Sequence, residues 1–223
     1  MKHTKSERLF EEFAQKKGWN ISKIPKSLNK SPDYDVFINY KRMIFEIKEI
    51  VENEDDKRNK KLLKERGYSD VISKTPGQYV RAKIISAKNQ LKEFKELKIP
   101  MLVALYDNSM NRITKLDPYE LLVGMYGLES VILALPQDKH QAPYSVGMKY
   151  GTKSQTNRQH NTSISALAVI IEKDNNLMLD ILYHNQFASV PLTNYDISGE
   201  NISHYRLACG NEPFDRPTWE KSN

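Results

Sequence analysis

Ser31-Pro32-Asp33-Tyr34-Asp35-Val36-Phe37-Ile38-Asn39-Tyr40-Lys41-Arg42-Met43-Ile44-Phe45-Glu46-Ile47-Lys48-Glu49-Ile50 is the stretch whose reading decides the fold. Two apolar runs flank the turn-like Asn39-Tyr40-Lys41-Arg42, the pattern of a β-hairpin. Side chains alternate faces along a strand, so Glu46 and Lys48 share one side and Phe45 and Ile47 the other. Glu49 is expected to point away from Glu46 as a surface charge. The hairpin sets Asp33 or Asp35 beside Glu46. Two carboxylates and one ammonium on a sheet surface suit a divalent cation with a cationic side chain next to it. The same residues also suit a salt bridge on a solvated sheet, and the surrounding elements have to separate the two readings.

Upstream, residues 4–17 read as a helix. Leu9, Phe10, Phe13 and Ala14 form an apolar stripe, Thr4 or Ser6 can cap it, and Gly18 stops it. Glu7 sits in the first turn, where the helix dipole favours an anion. Trp19 to Ile24 reads as a short strand. Downstream, residues 51–77 are highly charged and form a solvated excursion or a flap beside the site, helical over about 56–66.

Gln78 to Lys98 is the strongest helix. Val80, Ile84, Ala87, Leu91 and Phe94 make its apolar stripe, and Arg81, Lys88, Lys92 and Lys95 make a basic one. Lys83 and Gln90 share a line at its flank. Met101 to Tyr106 reads as a strand covered on both faces. Asp117-Pro118 opens a further helix. Val131 to Leu135, Ile164 to Ile171 and Leu177 to Tyr183 read as strands, the last two joined by a turn over 173–176. Residues 137–159 carry no clear pattern, and the chain beyond Gly210 reads as a loosely held tail.

The chain has 223 residues, 39% hydrophobic and 28% charged, enough for a substantial core under a polar surface. Thirty-four Lys and Arg against 28 Asp and Glu give +6, a balance that fits a polyanionic partner. Cys209 is the single cysteine, which excludes an internal disulfide and suits a reducing compartment. It has no His or Cys neighbour in sequence to make it reactive. His160 and His184 read as ordinary surface or partly buried histidines. No apolar signal core opens the chain, and Ala166 to Ile171, the longest apolar run, is far short of the roughly 20 residues of a membrane helix. A soluble cytoplasmic protein is expected, with no membrane partner.

The order of these elements carries a resemblance. A helix with an acid, an acid at a strand start, Glu-x-Lys on the next strand, an amphipathic helix and a buried strand follow one another between about Ser6 and Tyr106. That order is similar to the PD-(D/E)xK nuclease superfamily, the fold of many restriction and repair nucleases. Glu7 precedes Gly18 by eleven residues and Asp33 precedes Glu46 by thirteen, spacings that resemble the archaeal Holliday-junction resolvase branch. The chain departs from a minimal resolvase in its charged insertion at 51–77 and its long part after Tyr106.

The resemblance implies a restriction-endonuclease-like α/β fold: a central mixed β-sheet flanked by helices, with extra C-terminal strands. It places one domain over 1–210, with a core at about 4–106, a C-terminal elaboration at about 107–210 and a tail at 211–223. It implies DNA as partner, with a homodimer admissible, and Mg²⁺ or Mn²⁺ as cofactor. The catalytic set it carries over is Asp33, Glu46, Lys48 and Glu7. Asp33, Glu46 and the Ile47 carbonyl would hold the metal, with Asp35 the alternative ligand and spacing favouring Asp33. Gln90 and Lys83 are auxiliary, and Arg81, Lys88, Lys92 and Lys95 are candidate nucleic-acid contacts. The expected activity is metal-dependent hydrolysis of DNA phosphodiesters. The rivals are a non-catalytic nucleic-acid-binding module and a subunit of a larger defence complex.

Overall fold

The computed structural model describes residues 3–25, 31–68, 75–109, 116–138, 140–173, 176–181, 183–208 and 217–222. Cys209, the 173–176 turn centre and most of the tail lie outside them. The chain is an α/β fold built on a large mixed sheet with helices on both faces.

Helix α1 (Lys5–Lys16) starts where the sequence places it. Thr4 Oγ1 accepts the Glu7 N–H while the Glu7 carboxylate accepts the Thr4 N–H, a reciprocal capping box. Strand β1 (Asn20–Lys23) runs antiparallel to β2 (Tyr34–Ile38), and β2 to β3 (Lys41–Ile50). The β2–β3 turn is only Asn39-Tyr40, both at positive φ (49° and 65°). This is the two-residue turn whose twist matches a hairpin, with Tyr where glycine is usual.

Helix α2 (Glu54–Arg66) occupies the charged excursion, and Asp56 is its one buried residue. Helix α3 (Gln78–Leu91) is shorter than the sequence pattern implies. Lys92–Leu97 tightens into a 3-10 helix ended by Lys98 at φ 51°. After Leu91, the last core residue of the stripe, the chain must turn back to reach Pro100 and the next strand, and a tighter last turn does this. Strand β4 (Met101–Asp107) is buried on both faces, as its unbroken apolar run requires.

Helix α4 (Pro118–Tyr126) is capped by Asp117, whose carboxylate accepts the N–H groups of Tyr119 and Glu120. It crosses α3 closely: a Cβ on Gly124 would lie 2.5 Å from Val80 Cβ, so only glycine fits there. Strands β5 (Leu128–Ala134) and β6 (Tyr144–Thr152) form a separate two-stranded ribbon with an irregular register. Val131, Leu133, Leu135 and Tyr144 are exposed on or beside it. Strands β7 (Ala166–Lys173), β8 (Asn176–Ile181), β9 (Ile202–Ala208) and β10 (Thr218–Ser222) complete the main sheet.

The main sheet has eight strands in the order β1-β2-β3-β4-β7-β8-β9-β10. The β3–β4, β4–β7 and β8–β9 pairs are parallel. One face buries Phe10, Phe13, Val36, Phe45, Ala104 and their neighbours under α1. The other buries Ile44, Ile50, Ile84, Leu105, Leu121 and their neighbours under α3 and α4. The C-terminal strands thus extend the central sheet. No helix among the described residues is long and apolar enough to cross a membrane.

Candidate functional site

The β2–β3 ladder stops at the Tyr34–Phe45 pair. Beyond it β3 runs on toward Ile50, paired only with β4 on its other side. The Ile47 N–H would lose its ladder partner there. The Asp33 carboxylate replaces it, with Oδ2 2.9 Å from Ile47 N. Proline at 32 and the acid at 33 therefore end one strand and hold the next. Asp33 is 4% exposed and Glu46 1% exposed.

Glu46 and Lys48 share a face, and Lys48 Nζ lies 2.6 Å from Glu46 Oε1. Lys48 also donates to Gln90 Oε1 on α3 at 2.6 Å. The other Glu46 oxygen, Oε2, is buried with no hydrogen-bond partner. Burial, and then the Asp33 charge beside it, push the Glu46 carboxyl up to about 7, against the opposing pull of Lys48.

These groups line a cavity of about 140 Å³ together with Thr4, Ser6, Glu7, Ile47 and Glu49. Glu7 is brought to the wall of the site but serves the capping box there, and it also takes Lys23 Nζ at 3.3 Å. Glu49 does leave the Glu46 side of the strand, yet it is not a plain surface charge. It accepts the Ser6 N–H at 3.0 Å and the Asn108 amide at 2.7 Å, tying the start of α1 to β3 and β4. Strand alternation alone does not reveal this, because the cavity lies beside β3 past the end of its pairing with β2 and takes residues from both faces.

Asp35 is not brought to the cavity. Its carboxylate takes a forked contact from Arg42, with Oδ2 2.7 Å from Nη2, one strand over. Lys83 is half-buried on α3 without an ion pair among the described residues. Burial and then the nearby Lys48 charge hold its ammonium below the usual lysine range.

The basic stripe of α3 does not survive as one surface. Arg81 is 7% exposed and donates to the carbonyls of Pro76 and Val123, bracing α3 against α4. It is out of reach of a phosphate. Lys88 is exposed on α3, while Lys92 and Lys95 are exposed on the 3-10 turn, off the helical line.

His184 also differs from its sequence reading. It is buried, and its Nε2 lies 2.9 Å from His204 Nδ1. His204 Nε2 lies 2.7 Å from the Ile197 carbonyl, an acceptor only. His204 Nε2 therefore carries hydrogen, and in the neutral pair His184 Nε2–H donates to His204 Nδ1. Two histidines 20 residues apart with no shared motif left no trace that a sequence reading could use.

No protein-family model, no curated protein and no solved structure matches the chain.

Proposed function

We propose that the chain is a metal-dependent nuclease that hydrolyses DNA phosphodiester bonds, of the PD-(D/E)xK kind that its element order resembles. One observation carries the reading: Asp33 and Glu46 are buried side by side where β2 leaves β3, and Glu46 Oε2 has no partner. Two carboxylates held together away from bulk water are costly, and the one ammonium lining the cavity among the described residues, Lys48, reaches Glu46 Oε1 and leaves Oε2 for a further cation.

The donor set fits a hard divalent cation in chemistry. Among the described residues no three acids, histidines or cysteines converge on one point. The third protein oxygen would be the Ile47 carbonyl. In an antiparallel pair a residue's N–H and C=O face the same side, and the Ile47 N–H faces Asp33. When bound, Mg²⁺ or Mn²⁺ would acidify a water and take up charge on a phosphate oxygen.

The chain's own residues supply the rest. Asp33 fixes the β3 backbone beside the site. Gln90 holds the Lys48 ammonium in place, so that it faces developing negative charge without reorganising. Lys83 lies near enough for its charge to act on Lys48, and it adds positive potential on the α3 side.

The test is cleavage of supercoiled plasmid, linear duplex, branched DNA, single-stranded DNA and RNA in Mg²⁺, Mn²⁺ or EDTA. Activity is expected on DNA, to vanish in EDTA, and to fall about 10²–10³-fold in Lys48→Ala. Cleavage that survives both EDTA and Lys48→Ala overturns the reading.

A further inference from the structure

A second cavity, of about 520 Å³, opens on the same sheet face as Glu46 and Lys48. Its walls include Tyr119, Tyr183, Tyr205 and Trp219, and Asp180 is set among them. No lysine, arginine or histidine lines it among the described residues. The volume lies within the range of sites for small organic ligands.

Three of these aromatic groups form one connected cluster. Trp219 meets Tyr183 edge-on at 4.1 Å between centroids, and Tyr183 and Tyr205 lie nearly parallel at 6.4 Å. Trp219 is anchored by its indole N–H, which donates to the Pro118 carbonyl at 3.1 Å. Such walls take flat rings. The absence of cations from the lining disfavours a phosphate inside. Ser203 hydrogen-bonds the Asp180 carboxylate and the Lys221 charge acts on it from outside the lining; each carboxylate oxygen has two acceptor sites, so the pair can still take two parallel N–H donors. Among the standard nucleobases, guanine presents that pair, N1–H beside its N2 amine.

The strand register places this cavity relative to the first. Lys48 pairs with Leu105, Leu105 with Val169, and Val169 with Asp180. The four residues form one row across the sheet. Asp180 is therefore three strands from Lys48, about 14 Å at the usual interstrand spacing of about 4.8 Å. That is roughly four stacked nucleotides at about 3.4 Å each. Both cavities lie toward the carboxyl ends of the parallel strands β3, β4 and β7, where ligands of α/β sheets collect.

We infer that this cavity binds a guanine base, packed among the rings of Tyr119, Tyr205 and Trp219 with its N1–H and N2 amine on Asp180. In a polymer the base would be turned out of its stack, with its phosphates left outside the cavity. Placing it on the cleaved strand rests on the nuclease reading; the pocket chemistry does not.

The experiment separates the two. In full-length protein carrying Trp19→Phe, Trp219 is the remaining tryptophan, since the sequence has two. Its emission is followed while guanosine, inosine, adenosine, cytidine or choline is added in EDTA. Guanosine should give a saturable change, with inosine, which lacks the N2 amine, binding at least tenfold more weakly. Asp180→Asn should remove the guanosine–inosine difference. Tyr205→Ala, at a half-buried position, should weaken both nucleosides equally. The guanosine response should persist in Lys48→Ala, which addresses cleavage alone. No saturation with any nucleoside, equal affinity for guanosine and inosine, or tighter binding of choline each overturns the inference, whatever the cleavage assay shows.

Discussion

Glu46 and His184 are both buried, both sit beside a group of their own kind, and each has one side-chain atom without a hydrogen-bond partner. Their environments act in opposite directions. Burial and Asp33 push the Glu46 carboxyl up to about 7. Burial, Arg206 and His204 push the His184 imidazole down to about 3. Glu46 thus changes charge near neutral pH, where the proposed cation would compete with its proton. His184 is held neutral far from its titration, as part of the packing. The same physical cost accompanies the proposed metal site in one place and a packed pair in the other. The distinction lies in what surrounds the atom: an open cavity with an ammonium, or a closed core.

Substitution at Glu46 carries the largest expected effect. Glu46→Gln should lower DNA cleavage about 10²–10³-fold, while His184→Gln should leave specific activity per folded molecule within about twofold. Equal losses in plasmid cleavage would remove the contrast.

Acid unfolding tests the histidine side. The folded His184 value lies below the unfolded one of about 6.5, so its stabilisation is full above pH 6.5 and is lost as pH falls toward 3. Thermal melts from pH 7 to 4 should show a loss of up to about 3 kcal/mol that is reduced in His184→Gln, the remainder coming from His204, which burial also holds below its usual value. A parallel decline in both proteins would contradict the burial argument.

Glu46 has the reverse sign. Its folded value is raised from 4.5 to about 7, so its contribution is present below pH 4.5 and is lost as pH rises through 7. In EDTA at pH 8, Glu46→Gln should stabilise the protein by about 1–3 kcal/mol in urea titrations. A destabilised variant would mean that the Asp33–Glu46 pair carries no stored repulsion.

The smallest effect concerns Asp35. Asp35→Asn breaks a partly exposed contact with Arg42 and should change stability by about 0.5 kcal/mol or less, with cleavage unchanged. A large activity loss would restore Asp35 as a ligand.

Much of this site was legible in the sequence because its parts are local. Period-two alternation fixed the Glu46–Lys48 face, and Pro32-Asp33 marked where a strand begins. The Asp117-Pro118 cap and the buried strand at Met101 followed from similar short-range rules. The unread parts depend on long-range placement. Arg81 looks like a surface cation until α4 packs over it. Glu49 looks exposed until the first turn of α1 lands on it. Strands β9 and β10 carry mixed polarity, so only their neighbours reveal them, and the β6 ribbon strand lies in a stretch without periodicity. The connected tyrosines and tryptophan come from three separate segments.

The eight-stranded sheet ends in short polar strands, Asn20–Lys23 on one side and Thr218–Ser222 on the other. Edges this brief and hydrophilic give a foreign strand little to pair with. The β5–β6 ribbon has no such protection, because Val131, Ile132 and Leu133 run together on a strand with exposed apolar side chains. In concentrated solution the ribbon is therefore where self-association would start. Lysine at Leu133, 59% exposed, is the change that would lengthen the shelf life of the protein without touching the main sheet.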